Sequence, residues 1–129
     1  MKLVTYLHNG LERVGVLNCN ETWIYPVSAA VNTARDMLEL ICHTDECGLT
    51  AIRDLSAQAP ETVAGAVEMK DVHLLAPIPV PKQDIVCLGV NYADHAEESA
   101  RFHRDHFLKD SARQTIYFSK RVNRAVDPF

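Results

Sequence analysis

Apolar and polar residues alternate from Lys2 to Leu7, the pattern of a half-buried strand. Asn9-Gly10 follows, a pair suited to the tight turn of a two-residue hairpin, and Arg13–Leu17 supplies the return strand. Thr22–Pro26 reads as a third short strand. The period then changes. Thr33 with Asp36 reads as the cap of a helix whose apolar stripe is Met37, Leu38, Leu40 and Ile41. Gly48 is expected to break that pattern, and Leu49, Ile52 and Leu55 predict a second short helix ending before Pro60. Glu61–Ala66 fits a helical turn by its small residues but is weakened by Gly65. Val72–Leu75 reads as a strand closing this first unit.

Prolines at 77, 79 and 81 then stiffen the chain and remove N–H donors, which marks a boundary. Beyond it the apolar run Ile85–Val90 reads as a buried strand, with Cys87 as a small buried hydrophobe. Asp94 followed by Glu97 has the spacing of an N-cap and its N3 partner, so a helix is predicted to start there. That start puts His95 and Glu98 three apart in the first turn, on neighbouring positions. Thr115–Ser119 alternates as a further strand, with Lys120 just past its end. The predicted fold class is mixed α/β (α+β). A small N-terminal hairpin or meander with helices, residues 1–76, precedes the first strand–helix–strand of a second, mixed-β domain over 77–129.

His95 and Glu98 admit two readings. One is a solvated surface ion pair, worth a few tenths of a kcal/mol. The other is proton transfer: unpaired N–H groups of a helix start disfavour imidazolium, and a neutral histidine can act as a general base with a carboxylate beside it.

The string Gly89-Val90-Asn91-Tyr92-Ala93-Asp94-His95-Ala96-Glu97-Glu98 bears on that choice. Together with Leu74-Leu75-Ala76-Pro77-Ile78-Pro79 before it and Ile116-Tyr117-Phe118-Ser119-Lys120 after it, it resembles the fumarylacetoacetate hydrolase superfamily. Met1–Tyr6 and Arg13–Leu17 are also similar to that family's N-terminal domain. The resemblance implies enzymes that cleave, decarboxylate or isomerise small 2-oxo and 1,3-dicarbonyl acids through an enolate held on Mg²⁺ or Mn²⁺. It implies His95 and Glu98 as catalytic residues and Tyr92 and Lys120 as substrate-binding ones. The family's metal ligands come from a Glu-x-Glu strand and a later Asp, downstream of the Phe-Ser-Lys strand. No Glu-x-Glu is present, so no metal ligand is expected within these residues. The chain is read as the front part of such an enzyme, inactive by itself. The partner expected is a second copy in a homodimer, or the missing C-terminal segment. The alternative is a non-catalytic remnant kept as an interaction module.

Composition narrows the field. A net charge of −4 over 129 residues provides no footprint for nucleic acid or an anionic membrane. Arg101, Arg104, Arg113, Lys120, Arg121 and Arg124 are interleaved with acids and read as solvated surface. No stretch approaches the ~20 apolar residues of a membrane span, and the N-terminus lacks a signal-peptide core. Cys42-His43 and Cys47 carry soft ligands without a second pair at zinc-finger spacing, and His103 with His106 lacks a third ligand. Reduced thiols in a cytoplasm are the expectation for the four cysteines.

Overall fold

Every strand of the first unit follows from a local turn or from what lies on each of its faces. A computed structural model describes residues 1–32, 34–89 and 116–128. β1 (Leu3–His8) and β2 (Leu11–Leu17) pair antiparallel from Leu3↔Val16 to His8↔Leu11. Asn9 and Gly10 between them have φ of 53° and 74°, the two left-handed residues that a type I′ turn demands. β3 (Trp23–Pro26) pairs with β2. β4 (Val67–Glu68) extends the sheet beyond β3, and β5 (His73–Leu74) pairs with β1 at the other edge. The result is a five-stranded sheet in the order β4-β3-β2-β1-β5.

Both faces of this sheet are covered. On one, Val14, Val16 and Tyr25 pack with Val27, Met37, Leu40, Ile52, Leu55 and Val63. On the other, Tyr6, Leu17 and Ile24 pack with Val4, Val67, Met69, Val72 and Leu74, drawn from the sheet and its own curled ends. This is why β2 carries the unbroken run Val14-Gly15-Val16-Leu17 where alternation would mark a one-sided strand. Gly15 is needed there: a Cβ would collide with Ile24 Cγ2 and lie 2.9 Å from Tyr6 Cε1.

The first helix starts later than the expected Thr33 cap, and the second starts before Gly48 and not after it. α1 (Met37–His43) is capped by Asp36 itself, whose side chain accepts from the Glu39 N–H at 2.8 Å. Thr33, the expected partner in that cap, lies outside the described residues. Only Met37 and Leu40 are buried, and Ile41, assigned to the inner stripe, is 62% exposed. A helix of seven residues buries one line of side chains, and Ile41 falls off it. Gly48, expected as a break, lies inside α2 (Glu46–Ser56), where its N–H donates to the Asp45 cap at 2.8 Å. A Cβ at that position would stand 2.7 Å from Thr44 Cγ2, so the glycine permits a tight helix start. The break falls at Thr44 and Asp45. Residues 61–66, left open by the sequence, continue a 3₁₀ turn at Pro60–Thr62 and then bend at Gly65, φ 78°.

The chain divides into two units, Met1–Val80 with the chain end from Arg124, and Pro81–Asn123. In the second, β6 (Ile85–Gly89) and β7 (Ile116–Lys120) pair antiparallel from Ile85↔Lys120 to Gly89↔Ile116. Two expectations change here. The run predicted as a buried strand is open to solvent, with Ile85 45%, Val86 70% and Leu88 48% exposed, and Cys87 is only half-buried. A two-stranded ribbon has no second layer of its own to cover its faces. Lys120 also lies within β7, as its last residue. The architecture as a whole is mixed α+β, as the sequence pattern implies.

Candidate active site

The ladder between β6 and β7 fixes how the chemistry-bearing segment is attached. Gly89 and Ile116 are opposite each other at one end of the pairing. The chain therefore leaves β6 and re-enters β7 at the same end of the ladder. His95, Glu98 and Tyr92 belong to the intervening segment and lie outside the described residues. So do the Asp94 and Glu97 cap, His103 and His106, and Arg101, Arg104 and Arg113.

Lys120 is the one assigned site residue that is described. It is exposed and pairs with Ile85 at the opposite end of the ladder. At the usual strand rise it stands about 14 Å along the sheet from the Gly89–Ile116 end. Its ammonium sits over the Phe118 ring at 5.9 Å, a cation–π contact between neighbours on one face of the strand. The ladder thus brings Ile85, Cys87, Phe118 and Lys120 to one face, and Val86, Leu88, Tyr117 and Ser119 to the other. Phe118 is 43% and Tyr117 67% exposed, so both faces present apolar surface.

The other sequence candidates separate. Cys42 and Cys47 are both exposed, and among the described residues no group of three or more His, Cys, Asp or Glu side chains converges on a point. Cys19, also exposed, directs its thiol at the Ser56 carbonyl, 3.6 Å away. Tyr25 is a core residue: its hydroxyl donates to the Gln58 carbonyl at 2.9 Å, and burial pushes its phenol above the usual tyrosine range. Among the described residues, no helix is long and apolar enough to cross a membrane.

Two charged residues that the sequence did not single out have defined partners. Glu39 accepts from Arg35 through both the guanidinium, at 2.6 Å, and the Arg35 backbone N–H, at 3.0 Å. Those hydrogen bonds hold its carboxyl at about 2. Arg35 and Glu39 are four apart, which is the available signal for the pair. Asp127 accepts from the Ala76 N–H at 2.8 Å and lies 3.8 Å from His73 Nε2. No sequence spacing could have announced that contact, because its partners are some fifty residues apart.

No family model matches the chain, and no curated protein does. Among solved structures, it is similar to a fumarylacetoacetate hydrolase from the psychrophilic Exiguobacterium antarcticum, at 27% identity and a TM-score of 0.54. The match covers 93% of this chain and 35% of that one, so the chain spans about a third of the length of the enzyme it matches. With the sheet, its capped helices and the strand that leads into the Asn91–Glu98 string all in place, this likeness supports an origin of the chain in the fumarylacetoacetate hydrolase superfamily.

Proposed function

We propose that these residues are the N-terminal portion of an enzyme that hydrolyses, decarboxylates or isomerises small 2-oxo or 1,3-dicarbonyl acids. The supporting observation is the likeness to a fumarylacetoacetate hydrolase over nearly the whole chain, in a sequence that carries His95 and Glu98 just beyond β6. In this reading His95 takes a proton, from the substrate carbon or from a water, and Glu98 orients the imidazole and shares the proton. Tyr92 and Lys120 contribute to binding the substrate, Tyr92 by its hydroxyl and Lys120 by its charge. A neutral His95 is favoured if it occupies a helix start, where N–H dipoles oppose a positive ring.

The proposal includes Mg²⁺ or Mn²⁺ in the full-length enzyme. Such an ion would polarise the oxo group and stabilise an enolate. In this reading its ligands come from chain downstream of these residues. The steps assigned to this chain are therefore proton transfers and substrate contacts only. The two apolar faces of β6 and β7 are proposed to be covered in the assembled enzyme, by downstream chain or by a second copy in a homodimer. A cytoplasmic setting goes with this reading.

A second reading is a non-catalytic module. It is favoured by the first unit, whose sheet is covered on both faces by its own residues. Reading the gene beyond codon 129 separates the two: a Glu-x-Glu strand within a few dozen codons supports the enzyme. In the full-length protein, His95→Ala should then lower kcat by about 10²–10⁴, the usual loss for a general base. Unchanged turnover in that variant would return His95 and Glu98 to a surface ion pair.

A further inference from the structure

β5 leaves the sheet early, and the reason is a proline. Along β1 the backbone groups alternate between neighbours: the Lys2 carbonyl accepts from Leu17 of β2, and the Thr5 carbonyl accepts from Leu75 on the β5 side. By that alternation the N–H and C=O of Leu3 also point to the β5 side, towards position 77. Pro77 stands there and has no N–H to give. Its carbonyl is taken instead by the Thr5 hydroxyl, at 2.7 Å. Among the described residues, Leu3 meets no backbone partner on this side. The same alternation turns the Ala76 N–H away from β1, although Ala76 is 4% exposed and its donor must be satisfied.

The chain end answers both needs. Asp127 Oδ1 accepts from the Ala76 N–H at 2.8 Å, and the Ala125 N–H donates to the Pro79 carbonyl at 2.8 Å. Between these two anchor points lies Val126, 93% exposed. Val126 and Pro128 form one wall of an apolar cleft of about 280 Å³, of which Leu3, Leu75 and Pro77 form the other. We propose that the segment from Arg124 to Pro128 is a strap, latched by Asp127, that guards the open edge of β1 against pairing with the strand of another chain. An open edge beside apolar side chains is a template for strand addition, and covering it with a loop is one of the ways proteins prevent this. Pro128 adds a residue that cannot itself extend the ladder.

The test is Asp127→Ala beside Asp127→Asn, followed by amide hydrogen exchange and sedimentation over a concentration series. Asp127→Ala removes the acceptor, so the Ala76 and Ala125 amides should exchange about ten-fold faster or more, the usual consequence of losing a hydrogen bond to a charged group. Its mass should rise with concentration beyond that of the wild type, and the Leu3 amide should become protected as it does. Following Leu3 distinguishes pairing at this edge from association through β6 and β7. Asp127→Asn keeps an oxygen in place for the Ala76 N–H and should stay close to wild type in all three readouts. Unchanged Ala76 exchange in Asp127→Ala overturns the latch. Association without protection of Leu3, no association at all, or an Asp127→Asn variant that behaves like Asp127→Ala each overturns the strap's proposed role.

Discussion

Gly15 offers the sharpest test of how the first unit is packed. Its substitution by alanine places one methyl group between three fixed neighbours. The new carbon would collide with Ile24 Cγ2, approach Tyr6 Cε1 to 2.9 Å and meet the Tyr25 carbonyl at 3.1 Å. Ile24 and Tyr25 are fully buried and Tyr6 is 1% exposed, so none of them can swing into solvent. Two effects oppose each other. Replacing glycine in a strand restrains the unfolded chain and gains about 0.5–1 kcal/mol. Overpacking a filled interior costs typically ~1–3 kcal/mol, and a contact this close to the β-branched methyl of Ile24 belongs at the upper end. The net expectation is a loss of about 2 kcal/mol, which lowers Tm by roughly 8–16 °C in a domain of this size. Urea unfolding followed by far-UV circular dichroism reads it as a fall in midpoint at constant slope. Ile24→Leu removes the offending Cγ2 and by itself should cost less than about 1.5 kcal/mol. The double variant should then be more stable than the sum of the two single losses, by about 1 kcal/mol. A Gly15→Ala protein as stable as wild type, or a strictly additive double variant, would refute the argument that Ile24 closes over this glycine.

Two further outcomes are expected. Glu39 is held at about 2 by its hydrogen bonds from Arg35, so its ionised form is favoured in the fold. The stabilisation is complete above the ordinary glutamate value near 4.5 and is lost as pH falls towards 2, and a carbon-detected NMR titration should show that midpoint rising in Arg35→Ala. Mn²⁺ titrated into the 129-residue chain should produce no tight stoichiometric binding by calorimetry and no turnover of oxaloacetate or an acylpyruvate. Either signal would place the metal ligands within these residues.

The first unit was legible because its strands are specified locally. Asn9-Gly10 dictates one turn geometry, and that geometry sets the register from Leu3↔Val16 to His8↔Leu11. The helix starts were less legible, because two caps compete within a few residues. Asp36 and Asp45 each accept a backbone N–H three residues on, whereas the sequence pattern favoured an earlier start at Thr33 and a break at Gly48. β4, at two residues, is too short for any period to reveal it. The Asp127 contact was illegible in principle, since it depends on where Pro77 ends a ladder that pairs residues distant in sequence. Of the candidate site, the sequence supplied His95, Glu98, Tyr92 and Lys120, and of these the structure describes only Lys120.

That ladder carries a constraint on the proposed chemistry. Residues of β6 and β7 that face the same way are fixed by register, and an apolar pattern on both faces is costly to leave in water. Burial of apolar surface contributes about 25 cal/mol per Å². Val86, Leu88 and Tyr117 crowd one face, and Ile85 and Phe118 the other, all of them at least 43% exposed. A sequence evolved for a one-layer ribbon would alternate these residues with polar ones, as edge and surface strands do. Continuous apolar character is the mark of a strand with a layer on either side. The strand that delivers Asn91, Tyr92, His95 and Glu98 is thus composed for the interior of a larger sheet. A catalytic pair mounted on its end would be held still only when that sheet is complete. Rigid support is what general-base geometry requires, with heavy atoms held to within a few tenths of an ångström of hydrogen-bond distance. Under the proposed function, covering β6 and β7 and organising His95 would therefore be one event.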